Sequence, residues 1–178
     1  IPRADGIMGD LGGASLEIAH LKGGENLAQA TLPIGPLRMA CGPGHGGYGD
    51  GGDMDEHLAG AAWLQSARGG TFYAVGGSWR SWARMHMRYV NYRLSIAHHY
   101  EITATSALEF AKEIAMVSPS ALSNLAGIED ARADSIPFAN MLLKRLIEQS
   151  GVAAVLFSAY GVREGLIFDR LADSLKAE

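Results

Sequence analysis

Ile7-Met8-Gly9-Asp10-Leu11-Gly12-Gly13-Ala14-Ser15-Leu16-Glu17 sets two apolar segments either side of a glycine turn, with one carboxylate ending the first segment and another just inside the second. Ile7 to Leu11 and Ser15 to Leu21 have strand length. Leu27 to Pro33 follows across Lys22-Gly23-Gly24-Glu25-Asn26, a hairpin turn signal. Together the three segments predict an antiparallel meander.

Downstream the pattern changes. Gly42 to Asp53 is dominated by glycine, whose backbone entropy resists regular structure, and predicts a flexible loop. A helix is expected over Met54 to Ala67. Thr71 to Val75 is rich in strand-favouring residues, runs into Gly76-Gly77 and gives way to a helical stretch through Tyr89. Ser106 with Glu109 three residues later makes a capping-box pattern, and Ala107, Leu108, Phe110, Ala111, Ile114 and Ala115 line one helical face up to Val117. Another helix is predicted over Phe138 to Gln149, with Pro137 marking its start or a kink. Val152 to Phe157 reads as a short buried strand and Gly161 to Leu175 as a final helix. A meander followed by strands alternating with helices is the element order of a ribonuclease-H-like α/β domain, a mixed sheet flanked by helices, with a doubly wound sheet as the alternative.

The chain has 178 residues, of which 48% are apolar and 19% charged, enough for one globular domain over residues 1–178. A net charge of -4 gives no bulk attraction to nucleic acid or to an anionic membrane, so an anionic ligand needs a local site. Neither nucleic acid nor membrane is an expected partner. The lone Cys41 forms no internal disulfide, which fits a reducing compartment, and the cytoplasm is the expected location. The chain opens at Ile1-Pro2-Arg3 without an initiator Met, which suggests a piece of a longer protein.

Two constellations carry chemistry. In the first, Gly12 and Gly13 offer backbone N–H groups that a phosphate oxygen can approach without meeting a Cβ, and Ser15 opens the next strand beside them. Asp10 and Glu17 then flank that phosphate. Two carboxylates repel it unless a cation lies between, so the arrangement implies Mg²⁺ held by the carboxylates and water. A plain hairpin with a glycine turn explains the same residues equally well. In the second, Ala74-Val75-Gly76-Gly77-Ser78-Trp79-Arg80 places a helix start directly after a strand, aiming free N–H groups and the positive dipole end at the turn. Close packing of helix on strand is the alternative role for Gly76 and Gly77.

The two turns in this order resemble a known family. Asp10-Leu11-Gly12-Gly13-Ala14-Ser15-Leu16-Glu17 is similar to the D-[IL]-G-G-G-S-x-E phosphate motif of the exopolyphosphatase/guanosine-pentaphosphatase family. Leu32-Pro33-Ile34-Gly35-Pro36-Leu37-Arg38-Met39 resembles its LPIGxVRL segment, and Ala74 to Arg80 its xxGGTxR turn. Glu129-Asp130-Ala131-Arg132-Ala133-Asp134 and Ser158-Ala159-Tyr160-Gly161-Val162-Arg163-Glu164-Gly165 look like its ERADxIPAG and SxxGLREG stretches.

The resemblance implies a bacterial, Mg²⁺-dependent phosphohydrolase of the actin-like superfamily that releases terminal phosphate from polyphosphate or the 5′ γ-phosphate from guanosine pentaphosphate. Substrate then lies in a cleft between two actin-like domains, of which this chain is the second; the first, with the family's principal catalytic glutamate, is not in it, so the isolated chain is expected to be inactive. By position, Asp10 and Glu17 are the catalytic and metal residues, while Gly12, Gly13, Ala14, Ser15, Gly76 and Gly77 bind phosphate; the Arg38 guanidinium fork also matches phosphate oxygens, with a surface or structural salt bridge as its alternative role. Ala14 replaces a family glycine, which is tolerable only where φ is not positive. An ATP-dependent kinase of the same superfamily and a non-catalytic polyphosphate- or nucleotide-sensing domain are the rival readings, and a homodimer stays open.

Other residues read as structural. Arg132, Asp134, Arg163 and Glu164 are expected to pair and pin helices together. Trp79, Trp82, Met85 and Met87 are expected in the core or a domain interface. His86, His98 and His99 lack the spacing of a transition-metal site.

Overall fold

The computed structural model describes residues 3–39, 52–118, 121–122, 134–161, 164–168 and 170–171. Strands β1 (Gly6–Leu11), β2 (Leu16–Lys22) and β3 (Glu25–Leu32) form the expected meander. Short helix α1 (Pro36–Met39), helix α2 (Gly52–Ala59) and a 3-10 helix (Ala62–Ala67) lead to β4 (Thr71–Val75) and α3 (Gly77–Tyr89). Then come β5 (Tyr100–Thr103), α4 (Ala104–Ala115), α5 (Ile136–Ser150) and β6 (Ala154–Ser158), and residues 164–168 are again helical.

The sheet order is β3-β2-β1-β4-β6-β5. β1, β4 and β6 run parallel at the centre, while β2 is antiparallel to β1 and β5 to β6. A reversed second strand beside a parallel centre is the mixed ribonuclease-H-like sheet and excludes the doubly wound one. Helix α3 lies against β1, β4 and β6, and α5 packs on α3, α4 and the 3-10 helix. Among the described residues no helix is long and apolar enough to cross a membrane.

Several boundaries differ from expectation. The helix predicted over Met54–Ala67 breaks at Gly60-Ala61, where Ala61 has φ -109° and ψ 58°, outside the helical region. Gly52 and Asp53, expected in the glycine loop, already belong to α2, while residues 42–51, and Cys41 with them, lie outside the described part. The cap of α4 is Thr103 rather than Ser106: Thr103 is still extended, and its side-chain oxygen accepts from the Ser106 N–H at 3.1 Å. Strand β5 has no counterpart in the sequence reading. It is four residues long with alternating burial, too short to stand out from the loop before it. Pro137 sits in the first turn of α5, where its missing N–H costs nothing.

The tryptophans of α3 form the centre of the core, and Met85 and Met87 are buried beside them. Trp82 stacks on Phe157 at 5.6 Å, meets Phe110 edge-on at 5.0 Å and donates to Asn140 Oδ1 at 2.8 Å. Trp79 meets Phe72 edge-on and donates to the Ala139 carbonyl at 3.0 Å. Each indole N–H thus finds an acceptor on α5, so burying the ring leaves no orphaned donor.

His86, only 2% exposed, bridges β5 and α4: Nδ1 lies 2.7 Å from the Tyr100 hydroxyl and Nε2 3.1 Å from Ser106 Oγ. Burial holds its imidazole below the ordinary value of 6.5. The fold therefore keeps the ring neutral, whereas the unfolded chain takes up a proton below that value. The stability His86 confers is present above pH 6.5 and is lost as pH falls toward the folded pKa. Urea unfolding should show stability declining from neutral pH downward through that window. In His86→Gln the decline should shrink to the part contributed by His98, which burial also lowers, and the lost hydrogen bonds should cost about 2 kcal/mol at neutral pH.

Candidate active site

The carboxyl ends of β1, β4 and β6 open into a cleft of ≈ 440 Å³, lined by Asp10, Leu11 and Gly12 from the first, Val75, Gly76, Gly77 and Arg80 from the second, and Ala159, Tyr160, Gly161 and Glu164 from the third. Ligands of open α/β sheets bind at such strand ends. In register, Asp10 pairs with Glu17 across β1 and β2 and with Val75 across β1 and β4, so both acids stand at the same level and on the same side of their ladder.

Asp10 is half-buried, and its carboxyl is held above the ordinary value of 3.8, first by desolvation and then by the nearby charges of Glu17 and Glu164; Arg80 opposes the rise. Among the described residues, Asp10 thus feels two other carboxylates, Glu17 and Glu164, and one guanidinium, Arg80. Arg80→Gln removes the influence that favours ionised Asp10, and a pH titration of the Asp10 carboxyl carbon by NMR should show its midpoint moving further up.

Helix α3 begins at the cleft with Gly76 as its N-cap residue, at φ 118° and ψ 160°. A Cβ there would stand 2.6 Å from the Leu11 carbonyl oxygen, so only glycine lets α3 start this close to β1. No side chain caps this helix, and its first N–H groups face the cleft with the positive end of the dipole. The helix end suits an anion; among the described residues no group of three or more His, Cys, Asp or Glu side chains is placed to hold a metal ion.

The turn between β1 and β2 is closed differently from the proposed cradle. Residues 12–15 all avoid left-handed φ, so Ala14 is unstrained and no alternating-hand nest forms. The Gly12 N–H donates to the Ser15 carbonyl at 3.0 Å, and Ser15 Oγ donates to Glu17 Oε1 at 2.7 Å. The Gly13 carbonyl accepts from the Leu37 N–H at 2.8 Å, and a Cβ on Gly35 would reach that carbonyl at 2.5 Å, so the start of α1 is seated on the turn.

Of the residues read from sequence, Asp10, Gly12, Gly76 and Gly77 line the cleft, and Glu17 acts on it through its charge. Gly13, Ala14, Ser15 and Arg38 are not in the lining, and Arg38 is exposed on α1.

The sequence reading missed Arg80, Tyr160 and Glu164 as cleft residues. Arg80 ends the second glycine motif, and Tyr160 and Glu164 lie in the stretch similar to SxxGLREG, so each sat in a quoted motif without being assigned to the cleft; Arg80 Nη1 donates to the Ala159 carbonyl at 2.8 Å, joining α3 to the loop after β6. Glu164, expected to pin helices, accepts from the Gly161 N–H at 2.8 Å at the cleft wall. Arg132 and Arg163 lie outside the described residues. His98 accepts from the Ala159 N–H at 3.3 Å and packs on Tyr160 at 4.3 Å, a role in shaping that loop.

Comparison with known proteins bears on the fold and the family. Among solved structures, an exopolyphosphatase from Cytophaga hutchinsonii superposes with a TM-score of 0.83 at 18% identity, over 96% of this chain and 58% of that one. The Aquifex aeolicus member of the Ppx/GppA family gives 0.71 at 18% identity, over 97% and 58%. An exopolyphosphatase-like protein gives 0.76 at 19%, over 95% and 58%. At such identities the likeness is one of fold, and the chain spans 58% of the length of each. A search among curated proteins finds no match. A model built on sequence covers nearly the whole chain, residues 1–174, and its match establishes that the chain belongs to the Ppx/GppA phosphatase family.

Proposed function

We propose that the cleft is one wall of a phosphohydrolase site that releases terminal phosphate from inorganic polyphosphate or the 5′ γ-phosphate from guanosine pentaphosphate, completed by a first actin-like domain. The observation that carries this reading is the position of Asp10: a carboxyl crowded by Glu17 and Glu164 at the strand ends, facing the uncapped start of α3. Family membership supplies the reaction class. Acidic side chains beside an anion-favouring helix end would need a cation to bring in a phosphate, which is the reason for a divalent ion in this reading; with few protein ligands at hand, most of its coordination would come from water and substrate.

Asp10, with Glu17 beside it, would hold Mg²⁺, which when bound neutralises charge on the phosphate oxygens. The chain's own part in phosphoryl transfer is positioning. The first N–H groups of α3 and the Arg80 guanidinium orient the phosphate, and the ionised Asp10 carboxylate accepts a hydrogen bond from an attacking water. Arg80 favours that ionised form, and the hydrogen bond to Ala159 fixes where its charge stands.

The test is phosphate release by the complete protein from each substrate, with Mg²⁺ and then with excess EDTA. Release that disappears with EDTA and returns on adding Mg²⁺ supports the reading and identifies the substrate. Binding of both substrates without release would favour a sensor.

A further inference from the structure

Outside the cleft, α3 carries Arg84 and Arg88 at four and eight residues after Arg80. Side chains four apart are neighbours on a helix surface, so the row runs from the cleft along α3 for about 12 Å. Arg84 and Arg88 are exposed and line a second depression of ≈ 370 Å³ with Met87, Tyr92, Leu94 and Ser95. Among the described residues neither guanidinium has an ion pair or hydrogen bond. Glu113 shares an adjoining apolar groove with Arg88 without pairing to it. Helix α3 contains no acidic residue. Like charges at this spacing weaken a helix, and within α3 only Arg88, in the last turn, gains from the negative end of the helix dipole, so it is an external anion that would reward the row as a whole.

We propose that Arg84 and Arg88 extend the cleft into a track for a linear polyanion, so that the end of an inorganic polyphosphate chain enters the site while its following phosphates lie along α3. The proposal rests on the phosphohydrolase reading and narrows its substrate. A row of evenly spaced guanidinium groups matches a repeating charge, whereas a nucleoside polyphosphate ends in a base after a few phosphates. The negative balance of the rest of the chain gives a nucleic acid no comparable attraction.

The complete protein and its Arg84→Gln/Arg88→Gln variant are compared on long-chain polyphosphate, tripolyphosphate and guanosine pentaphosphate. The KM for the long chain should rise about tenfold and its salt dependence flatten. The other two KM values, and kcat throughout, should stay within about twofold, as expected for binding lost away from the reacting phosphate. An unchanged long-chain KM overturns the track and leaves the hydrolase reading standing.

If the wild type releases phosphate from none of the three, the hydrolase reading fails. Binding of labelled long-chain polyphosphate then decides: a Kd weakened about tenfold in the variant sustains the track, and an equal Kd overturns it. Loss of equally tight binding to a charge-matched single-stranded RNA would make the row a nucleic-acid site and also overturn the polyphosphate assignment. Relief of like-charge repulsion and loss of Arg88 from the negative end of the helix dipole oppose each other, so the thermal midpoint should stay close to that of the wild type, and a melt of the variant separates lost binding from lost folding.

Discussion

Asp10→Asn in the complete protein should lower kcat for phosphate release by about a hundredfold or more, the size seen when one group that stabilises developing charge is removed from a reaction centre. The change is nearly isosteric and stays in register opposite Glu17, so the loss should be in the chemistry rather than the fold. Stability makes the prediction sharper. Because the Asp10 carboxyl is raised above 3.8, the folded protein binds that proton more tightly than the unfolded chain does, and at neutral pH the ionised group works against folding. The variant should therefore unfold at an equal or higher temperature than the wild type. A variant that is inactive and less stable would place Asp10 in the structure rather than in the reaction. Full activity in a stable variant would remove it from the proposed mechanism.

Gly76→Ala should be the most damaging of the single-methyl changes at the site, costing about 3 kcal/mol and lowering the thermal midpoint by roughly 10 °C. Two costs coincide there: a backbone at φ 118° and ψ 160°, in a region that only glycine occupies readily, and a Cβ forced to 2.6 Å from the Leu11 carbonyl oxygen. Gly69→Ala is the control that separates them. Gly69 has φ 79° but open space around its Cβ, so that variant should lose only the conformational part, about 1 kcal/mol. Equal losses at the two positions, measured by calorimetry, would show that the contact between α3 and β1 gives way easily.

The glycine turns were legible from residues alone because each serves a local need. Gly76 marks where a helix must start against a strand, and Asp10 ends a strand whose partner is the next segment of chain. Arg80 was harder: it sits one helical turn past the glycines, and only the position of the loop after β6 shows that its side chain reaches the cleft. Glu164 and Tyr160 depend on that same loop, which pairing over long sequence separations brings to the mouth of β4. The break at Gly60-Ala61 and the brief β5 were missed because neither interrupts or extends an apolar pattern long enough to register. The cradle at Gly12-Gly13 was read as an anion nest, but the turn spends the Gly12 N–H on its own closure.

The sheet order also constrains how the chain acquires its shape as it leaves the ribosome. The meander can pair as soon as it emerges, since its strands are neighbours in sequence. The parallel pairing of Gly6 with Thr71 must wait for the chain between them, and that of Thr71 with Ala154 for almost everything else. β5 bonds only to β6, which is made some fifty residues later. Until β6 arrives, the Trp82 face that stacks on Phe157 is uncovered and the strand edges of β4 and β5 are unpaired. Closure is therefore a late and non-local step, slow by the rule that distant contacts retard folding, and the nascent chain is most prone to aggregation just before β6 slots in between β4 and β5.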